Sequence, residues 1–534
     1  MNDNQINLLD IDVKEAALGF GDDEWAPPSS FPDLTNCERI AIDLETRDPN
    51  LTTLGPGWCR DDGYVIGYAV AAGDFVGYYP VRHEDGNLPE KSVVNWLKKQ
   101  MATPNIEKVM HNAMYDLGWM RWAGIEVQGP IIDTMIAAPI LNENRRFYNL
   151  NSLTGEYLGE YKNEKMLKAA AAMYHVDPKS GMWRLPSKFV GSYAEQDAAV
   201  TLRLWDRLRP EIIKDEVSSI FELESSLLPC LLDMKTKGVR VDIDKAELVK
   251  KDLKKREDIL LKQIKEETGV AVSPWEAASI ARAFDSLGIS YKRTKNTNAP
   301  SFTKQFLVNH THPIAQKIVK LREFNKANTT FVETILEHSC KGRIHCDFNP
   351  LRSDEGGTVT GRFSSSNPNL QQIPARDPEI KSLIRGLFLP EEGMKWGSFD
   401  YASQEPRWLA HYCAQLTGVN RHPQIDTVVE MYKEGNADFH QMVADLADIT
   451  RKEAKTVNLG IMYGMGVGKL AHTMDISTDE AKELLAEYHK KVPFVKGLAD
   501  MVSGAAKKHG QIRTYLGRLC RFDMWEPSTF GYNK

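Results

Sequence analysis

Five side chains in the N-terminal part of the chain have types and spacings suited to chemistry on a phosphodiester. The run Ile40-Ala-Ile-Asp-Leu-Glu-Thr46 is an apolar stretch carrying Asp43 and Glu45. Side chains two apart on a strand share a face, so both carboxylates are expected to point the same way. Burying like charges together is costly unless a cation neutralises them. In His111-Asn-Ala-Met-Tyr-Asp116, Asn112 and Asp116 are four apart, on one face of a helix. Tyr193-Ala-Glu-Gln-Asp197 places Tyr193 and Asp197 in the same way. The four carboxylates Asp43, Glu45, Asp116 and Asp197 could hold two divalent ions of the hard, oxygen-seeking kind. Two such ions about 4 Å apart can activate a water and stabilise the leaving oxygen of a phosphodiester. Tyr193 would orient that water.

A second set lies further along the chain. Thr450 followed by Glu453 is a capping box, so a helix is expected to begin at Arg451. Arg451, Lys455, Leu459 and Tyr463 are four apart and share a broad face of that helix. Two cations at this spacing repel, beside a helix N-terminus that already carries partial positive charge. A solvated basic face and a site for a polyanion such as a triphosphate both fit the pair taken alone. Upstream, Trp396-Gly-Ser-Phe-Asp400 reads as an apolar strand ending at Asp400, able to hold metal at a sheet edge. Ser403 is placed to cap the next helix, and Pro406 is tolerated in its first turn. Gly464-Met-Gly-Val-Gly-Lys-Leu470 imitates a phosphate loop. Tyr463 stands where its first glycine belongs, however, and Leu470 where Ser or Thr would hold magnesium, so it reads as a glycine-rich helix exit.

The elements that must position these groups follow from composition and periodicity. With 534 residues, 42% hydrophobic and 26% charged, the chain is an ordinary globular protein of more than one domain. A net charge of −6 excludes no nucleic-acid role, because positive charge is often confined to one channel. Seven scattered cysteines without a Cys-x-x-Cys suggest reduced thiols in a cytosolic compartment. No apolar run is long enough to span a membrane. Residues 1–35 are acidic, contain Pro27-Pro28, and read as a poorly ordered leader. Residues 36–215 alternate strand-like and helical runs, as in an α/β domain. Residues 216–345 turn helical, with Lys250, Lys251, Lys254, Lys255 and Arg256 interleaved with acids. A solvated helical arm and a backbone-gripping arm are both open for them. A Gly/Ser/Asn/Pro loop (Asp354–Pro374) and the strand to Asp400 fall within 346–420, and 421–534 are mostly helical.

The three carboxylate motifs, in this order and with these residue types, resemble the DEDD-type 3′–5′ exonucleases of the tyrosine subclass. Thr360-Gly-Arg-Phe-Ser-Ser-Ser-Asn-Pro-Asn-Leu-Gln-Gln-Ile-Pro374, Trp396–Arg407 and the helix at Arg451 together closely resemble family-A (polymerase I-like) DNA polymerases. That resemblance implies a ribonuclease H-like α/β exonuclease domain followed by a right-hand polymerase with a helical thumb, a partial α+β palm and helical fingers. It implies that Arg362, Asn369, Gln372 and Arg407 contact primer-template DNA and that Asp400 binds the catalytic metals. Glu405 would pack against the incoming sugar. His440, in Asn436-Ala-Asp-Phe-His440, would lie near the nucleotide phosphates, with Arg451 and Lys455 on the triphosphate. Tyr463, Gly464 and Leu459 would shape the nascent base-pair pocket. The implied cofactors are Mg²⁺ or Mn²⁺, two ions per active site, and the implied ligands are primer-template DNA and deoxynucleoside triphosphates.

The sequence departs from the family in two places. Leu459 stands where Phe or Tyr is usual, which implies discrimination against dideoxynucleotides. The His-Asp-Glu third palm motif is not found before Lys534. A truncated form, the first half of a split polymerase and one side of an interrupted gene are all open readings. A C-terminal polymerase fragment supplying the motif is one implied partner. A chain acting alone as an exonuclease and a DNA-binding subunit are the rival functions. Proofreading without a preceding 5′-nuclease is similar to phage polymerases, which implies the host cytoplasm.

Overall fold

The computed structural model describes residues 25–534 apart from 355, 419–420, 436–437, 448, 475, 523–525, 529–530 and 534. Most of the expected leader and the first two residues of the Asn436–His440 motif lie outside the described residues. The chain divides into two compact units, residues 1–395 and 396–534.

The first unit is built on a five-stranded sheet. Its strands are β1 (Arg39–Arg47), β2 (Tyr64–Ala72), β3 (Phe75–Pro80), β4 (Glu107–Met110) and β5 (Ile131–Asp133), in the order β3-β2-β1-β4-β5. β1 is central, antiparallel to β2 and parallel to β4. Its apolar residues Ile40, Ala41, Ile42 and Leu44 are buried because helices cover the sheet. The register with β2 shifts between Glu45 and Thr46, a bulge beside the two carboxylates. Helix α1 (Ala113–Trp122) follows β4, α2 (Thr134–Leu141) follows β5, and the long α3 (Gly191–Lys214) packs across β1 to β4.

Asp133 fixes two helix starts at once. Its carboxylate accepts from Asn112 N (3.0 Å), Ala113 N (2.9 Å) and Met135 N (2.8 Å), groups that helix N-termini leave unpaired. Asn112 is therefore not on a helical face with Asp116, as its spacing suggested. It precedes α1 in the left-handed region, with φ 69°.

Residues 25–35 are not a loose leader. The Trp25 ring packs against Tyr78 and fills the space beside Gly191, where an added Cβ would come within 2.0 Å of it. Phe31 stacks on Tyr79, and the Leu34 amide donates to Gln100 Oε1 (2.9 Å). Acidic composition and the proline pair misled the reading; the aromatic anchors decide it.

The rest of the first unit is helical around a small sheet. α4 (Ser218–Lys237) leads into β6 (Val239–Val241) and α5 (Ile243–Thr268), which is capped by Asp242 through Lys245 N (3.0 Å). A helix over Pro313–Glu337, with one π-helical turn at Ala327–Val332, packs on α5. β6 pairs with the strands Arg343–Ile344 and Phe388–Leu389. Asp347–Asn349 pairs with Ser364–Ser366 and carries the loop between them.

The second unit is mainly helical. α6 (Gln404–Gln415), α7 (Phe439–Ala447), α8 (Arg451–Met462) and α9 (Pro493–His509) contribute to a core that includes Cys413, Val443, Ala454, Val457 and Phe494. Two expectations fail here. Residues 396–400 form no strand: among the described residues their backbone has no ladder partner, and Phe399 is 97% exposed. Ser403 precedes α6 but makes no side-chain cap, because its left-handed backbone (φ 53°) departs from the extended conformation an N-cap hydroxyl needs.

Candidate active sites

The carboxylate site follows from strand periodicity. Asp43 and Glu45 project from one face of β1, and Asp197 reaches them from α3, one turn after Tyr193. One carboxylate oxygen of each of Asp43, Glu45 and Asp197 lies within 4.8 Å of the other two. Asp197 is buried, and its Oδ1 has no hydrogen-bond partner. An orphaned carboxylate oxygen facing two more carboxylates suits a hard divalent cation.

Asp116 is buried on α1 and stands outside this triplet; its Oδ1 accepts the Leu44 amide (3.2 Å). It remains electrically part of the group. Burial first, and then the Asp43 charge, push its carboxyl well above the usual range. Burial and Asp197 push Asp43 up to about 7. Burial and Asp43 do the same to Glu45, which lies well above its ordinary value. Burial and the adjoining carboxylates raise the Tyr193 phenol. His111 stays neutral, pushed down to about 3 by burial.

One residue at this site had no signal in the sequence. Lys162 donates to Asp197 Oδ2 (2.5 Å), with its Nζ 5.4 Å from the centre of the Tyr193 ring. It lies 35 residues before Asp197, outside any periodic element that the carboxylates share.

The second unit gathers most of the other candidates. The capping box at Thr450 forms as expected, with Thr450 Oγ1 accepting from Glu453 N (3.3 Å) and Glu453 Oε2 accepting from Thr450 N (2.9 Å). Ala454, Val457 and Asn458 are buried, which leaves Arg451, Lys455 and Tyr463 exposed and Leu459 half-buried. Arg451 Nε donates to Asp438 Oδ2 (2.6 Å). His440 is buried against Asn458, with 3.1 Å between His440 Nδ1 and Asn458 Nδ2, and burial holds its imidazole below the usual range. Tyr463 Oη donates to Glu405 Oε1 (3.3 Å), which ties α8 to the first turn of α6. Asp400 is exposed just before α6. Arg407 donates to the Ala402 carbonyl (2.9 Å) and lies 4.8 Å over the Tyr432 ring. Gly464, at φ 75°, closes α8, so the stretch begins as a helix exit, while Val467–Leu470 already belong to the next helix, Val467–Met474.

Arg362, Asn369 and Gln372 belong to the first unit and are exposed: Arg362 lies on the loop between strands Asp347–Asn349 and Ser364–Ser366, and Asn369 and Gln372 follow the second of these strands. Asn369 Oδ1 accepts from Gln371 N (3.0 Å) and caps the 3₁₀ turn at Leu370–Gln372.

A mixed sheet with three clustered carboxylates, and a helical unit carrying a capped cationic helix, are features expected of a nuclease joined to a polymerase. Comparison with known proteins agrees. Residues 244–530 match the family model for DNA polymerase family A, and residues 23–213 match that for 3′–5′ exonuclease. The chain is 36% identical to a DNA-directed DNA polymerase of Pseudomonas phage M6, over 93% of this chain and 83% of that protein. It is 29% identical to the DNA polymerase DpoZ of Acinetobacter phage SH-Ab 15497, over 92% of this chain and 83% of that protein. Its fold is similar to the polymerase domain of Pol1 from M. smegmatis, solved with DNA primer-template and dNTP. The TM-score is 0.72 at 22% identity, covering 92% of this chain and 79% of that one. The chain belongs to the family A DNA polymerases and carries a 3′–5′ exonuclease domain, both of which are metal-dependent.

Proposed function

We propose that the N-terminal site removes 5′-deoxynucleotides from the 3′ end of DNA and that the second unit binds an incoming deoxynucleoside triphosphate for templated addition to a primer. The observation that carries this reading is the meeting of Asp43, Glu45 and Asp197 within 4.8 Å, with Asp197 Oδ1 unpaired. These three, with Asp116, would hold two Mg²⁺ or Mn²⁺ ions. Bound there, such ions would supply Lewis acidity toward the attacking water and the departing 3′-oxygen. Tyr193 holds the attacking water by a hydrogen bond from its phenol, which stays protonated among the carboxylates.

At the polymerase site, Asp400 would hold metal. Arg451, Lys455 and His440 would bind the triphosphate through charge-assisted hydrogen bonds. Glu405, fixed by Tyr463, would close the sugar pocket, with Leu459 under the base or sugar. Arg362, Asn369, Gln372 and Arg407 would grip the primer-template. The work is done in the host cytoplasm.

The test is a labelled primer-template incubated with Mg²⁺, with and without deoxynucleotides, and with and without a polypeptide carrying a His-Asp-Glu motif. Stepwise 3′ shortening without nucleotides, replaced by extension when nucleotides and the motif are supplied, is the expected result. Neither shortening nor extension under any condition would defeat the reading.

A further inference from the structure

The geometry points to Lys162 as a catalytic residue of the exonuclease site, one that hydrogen-bonds a non-bridging oxygen of the scissile phosphodiester and offsets the charge that builds up there. This rests on the exonuclease reading above.

Lys162 is held in place. Its own amide donates to Asn151 Oδ1 (2.9 Å), and the next amide, Asn163 N, donates to Gln196 Oε1 (2.9 Å). Gln196 Nε2 donates back to the Tyr161 carbonyl (3.2 Å). Gln196 immediately precedes Asp197 on α3, so two of these three hydrogen bonds fasten the segment 161–163 beside the helix that supplies the metal-site carboxylate. The lysine stem is largely covered: its side chain is 18% exposed, and that of its partner Asp197 is 4% exposed. Holding a long cationic side chain in this way costs conformational entropy, so a fixed position needs a compensating contact. Lys179 also acts on Glu45, but it lies exposed at the surface.

The charges show where the cation is wanted. With two divalent ions bound, Asp43, Glu45, Asp116 and Asp197 would be ionised, and their four negative charges would balance the four positive charges of the ions. The substrate then brings one negative charge, and the transition state concentrates more on the phosphoryl oxygens. Lys162 reaches both Asp197, a proposed metal ligand, and the Tyr193 ring, the residue proposed to orient the water. In the reaction the water oxygen bonds to phosphorus and the P–O3′ bond breaks. The water gives up one proton and the 3′-oxygen takes one up. Lys162 donates a hydrogen bond throughout and keeps its proton, so the step balances without it. Oriented donors of this kind contribute about 10²-fold to a rate.

The test compares the full chain with K162M on a 5′-labelled single-stranded oligonucleotide, alongside titration of each protein with Mn²⁺ alone by calorimetry. K162M is expected to lower kcat about 10²-fold while binding Mn²⁺ at least as tightly as the unmodified chain. If K162M does not fold, K162A carries the test, with ethylammonium expected to restore at least about fivefold of the lost rate at unchanged melting temperature. Two results overturn the proposal. One is a kcat within about threefold of the unmodified chain with tighter Mn²⁺ binding, which makes Lys162 a counter-ion only. The other is joint loss of kcat and Mn²⁺ binding, which makes it a support for Asp197. In parallel, D43A/E45A without activity but K162M unaffected sinks the lysine alone. Activity surviving in D43A/E45A sinks the exonuclease reading itself.

Discussion

Replacing Asp43 by Asn is expected to stabilise the metal-free protein at neutral pH and to do nothing at pH 4. Asp43 is raised from 3.8 to about 7 by burial and by Asp197. Between those values the native state holds a proton that the unfolded state has lost, so stability falls as pH rises from about 4 to about 7. A rise of that size corresponds to about 4 kcal/mol at most. Asp43 keeps some contact with solvent, which screens it, so about 2 kcal/mol is the working figure. For a domain of this size that is a rise of about 4–8 °C in the melting of the exonuclease portion. The assay is a thermal melt followed by tryptophan fluorescence at pH 4 and pH 7.5, with chelator or with Mn²⁺. D43N should melt higher than the unmodified chain at pH 7.5 with chelator, match it at pH 4, and lose its advantage when Mn²⁺ is added. A variant that melts lower at pH 7.5 with chelator, or a difference that ignores pH, would refute the argument that these carboxylates repel one another in the absence of a cation.

Three further outcomes are expected. On the proposed placement of Leu459 beneath the nucleotide, no hydroxyl would be present there, so the chain, under conditions where it extends a primer, should discriminate against dideoxynucleotides, and L459Y should relax that preference about tenfold or more; equal use of both nucleotides by the unmodified chain counts against it. K455A should weaken deoxynucleoside triphosphate binding about 10- to 100-fold, as lost charge-assisted hydrogen bonds do, while the circular dichroism spectrum stays the same; unchanged nucleotide affinity makes α8 a solvated basic face. W25A should lower the melting temperature of the exonuclease portion, by about 2–3 kcal/mol of stability, because the Trp25 ring fills the space beside Gly191 and packs on Tyr78; an unaltered melt means residues 25–35 only rest on the surface.

The parts of this molecule that were legible in its sequence are those governed by local rules. The two-residue spacing of Asp43 and Glu45 fixed a shared face once β1 formed, and Thr450 with Glu453 located the start of α8 to the residue. What escaped depends on partners distant along the chain. Lys162 reaches Asp197 across 35 residues with no periodicity to reveal it. Asp133 sets the start of α1 from another strand, which is why Asn112 falls outside that helix. The expected strand at 396–400 had the right apolar composition, but a strand needs a neighbour for its hydrogen bonds, and composition does not supply one. Residues 25–35 looked polar on average, whereas a few aromatic contacts decide where they lie.

The central claim is that a carboxylate cluster on β1 and α3 performs metal-dependent 3′ trimming within a family A polymerase. The most direct measurement follows a 5′-labelled primer-template with Mg²⁺ and no deoxynucleotides, using the unmodified chain and D43A/E45A. The unmodified chain should shorten the primer one nucleotide at a time from its 3′ end, and D43A/E45A should bind the same DNA and leave it intact. Continued shortening by D43A/E45A would contradict the claim.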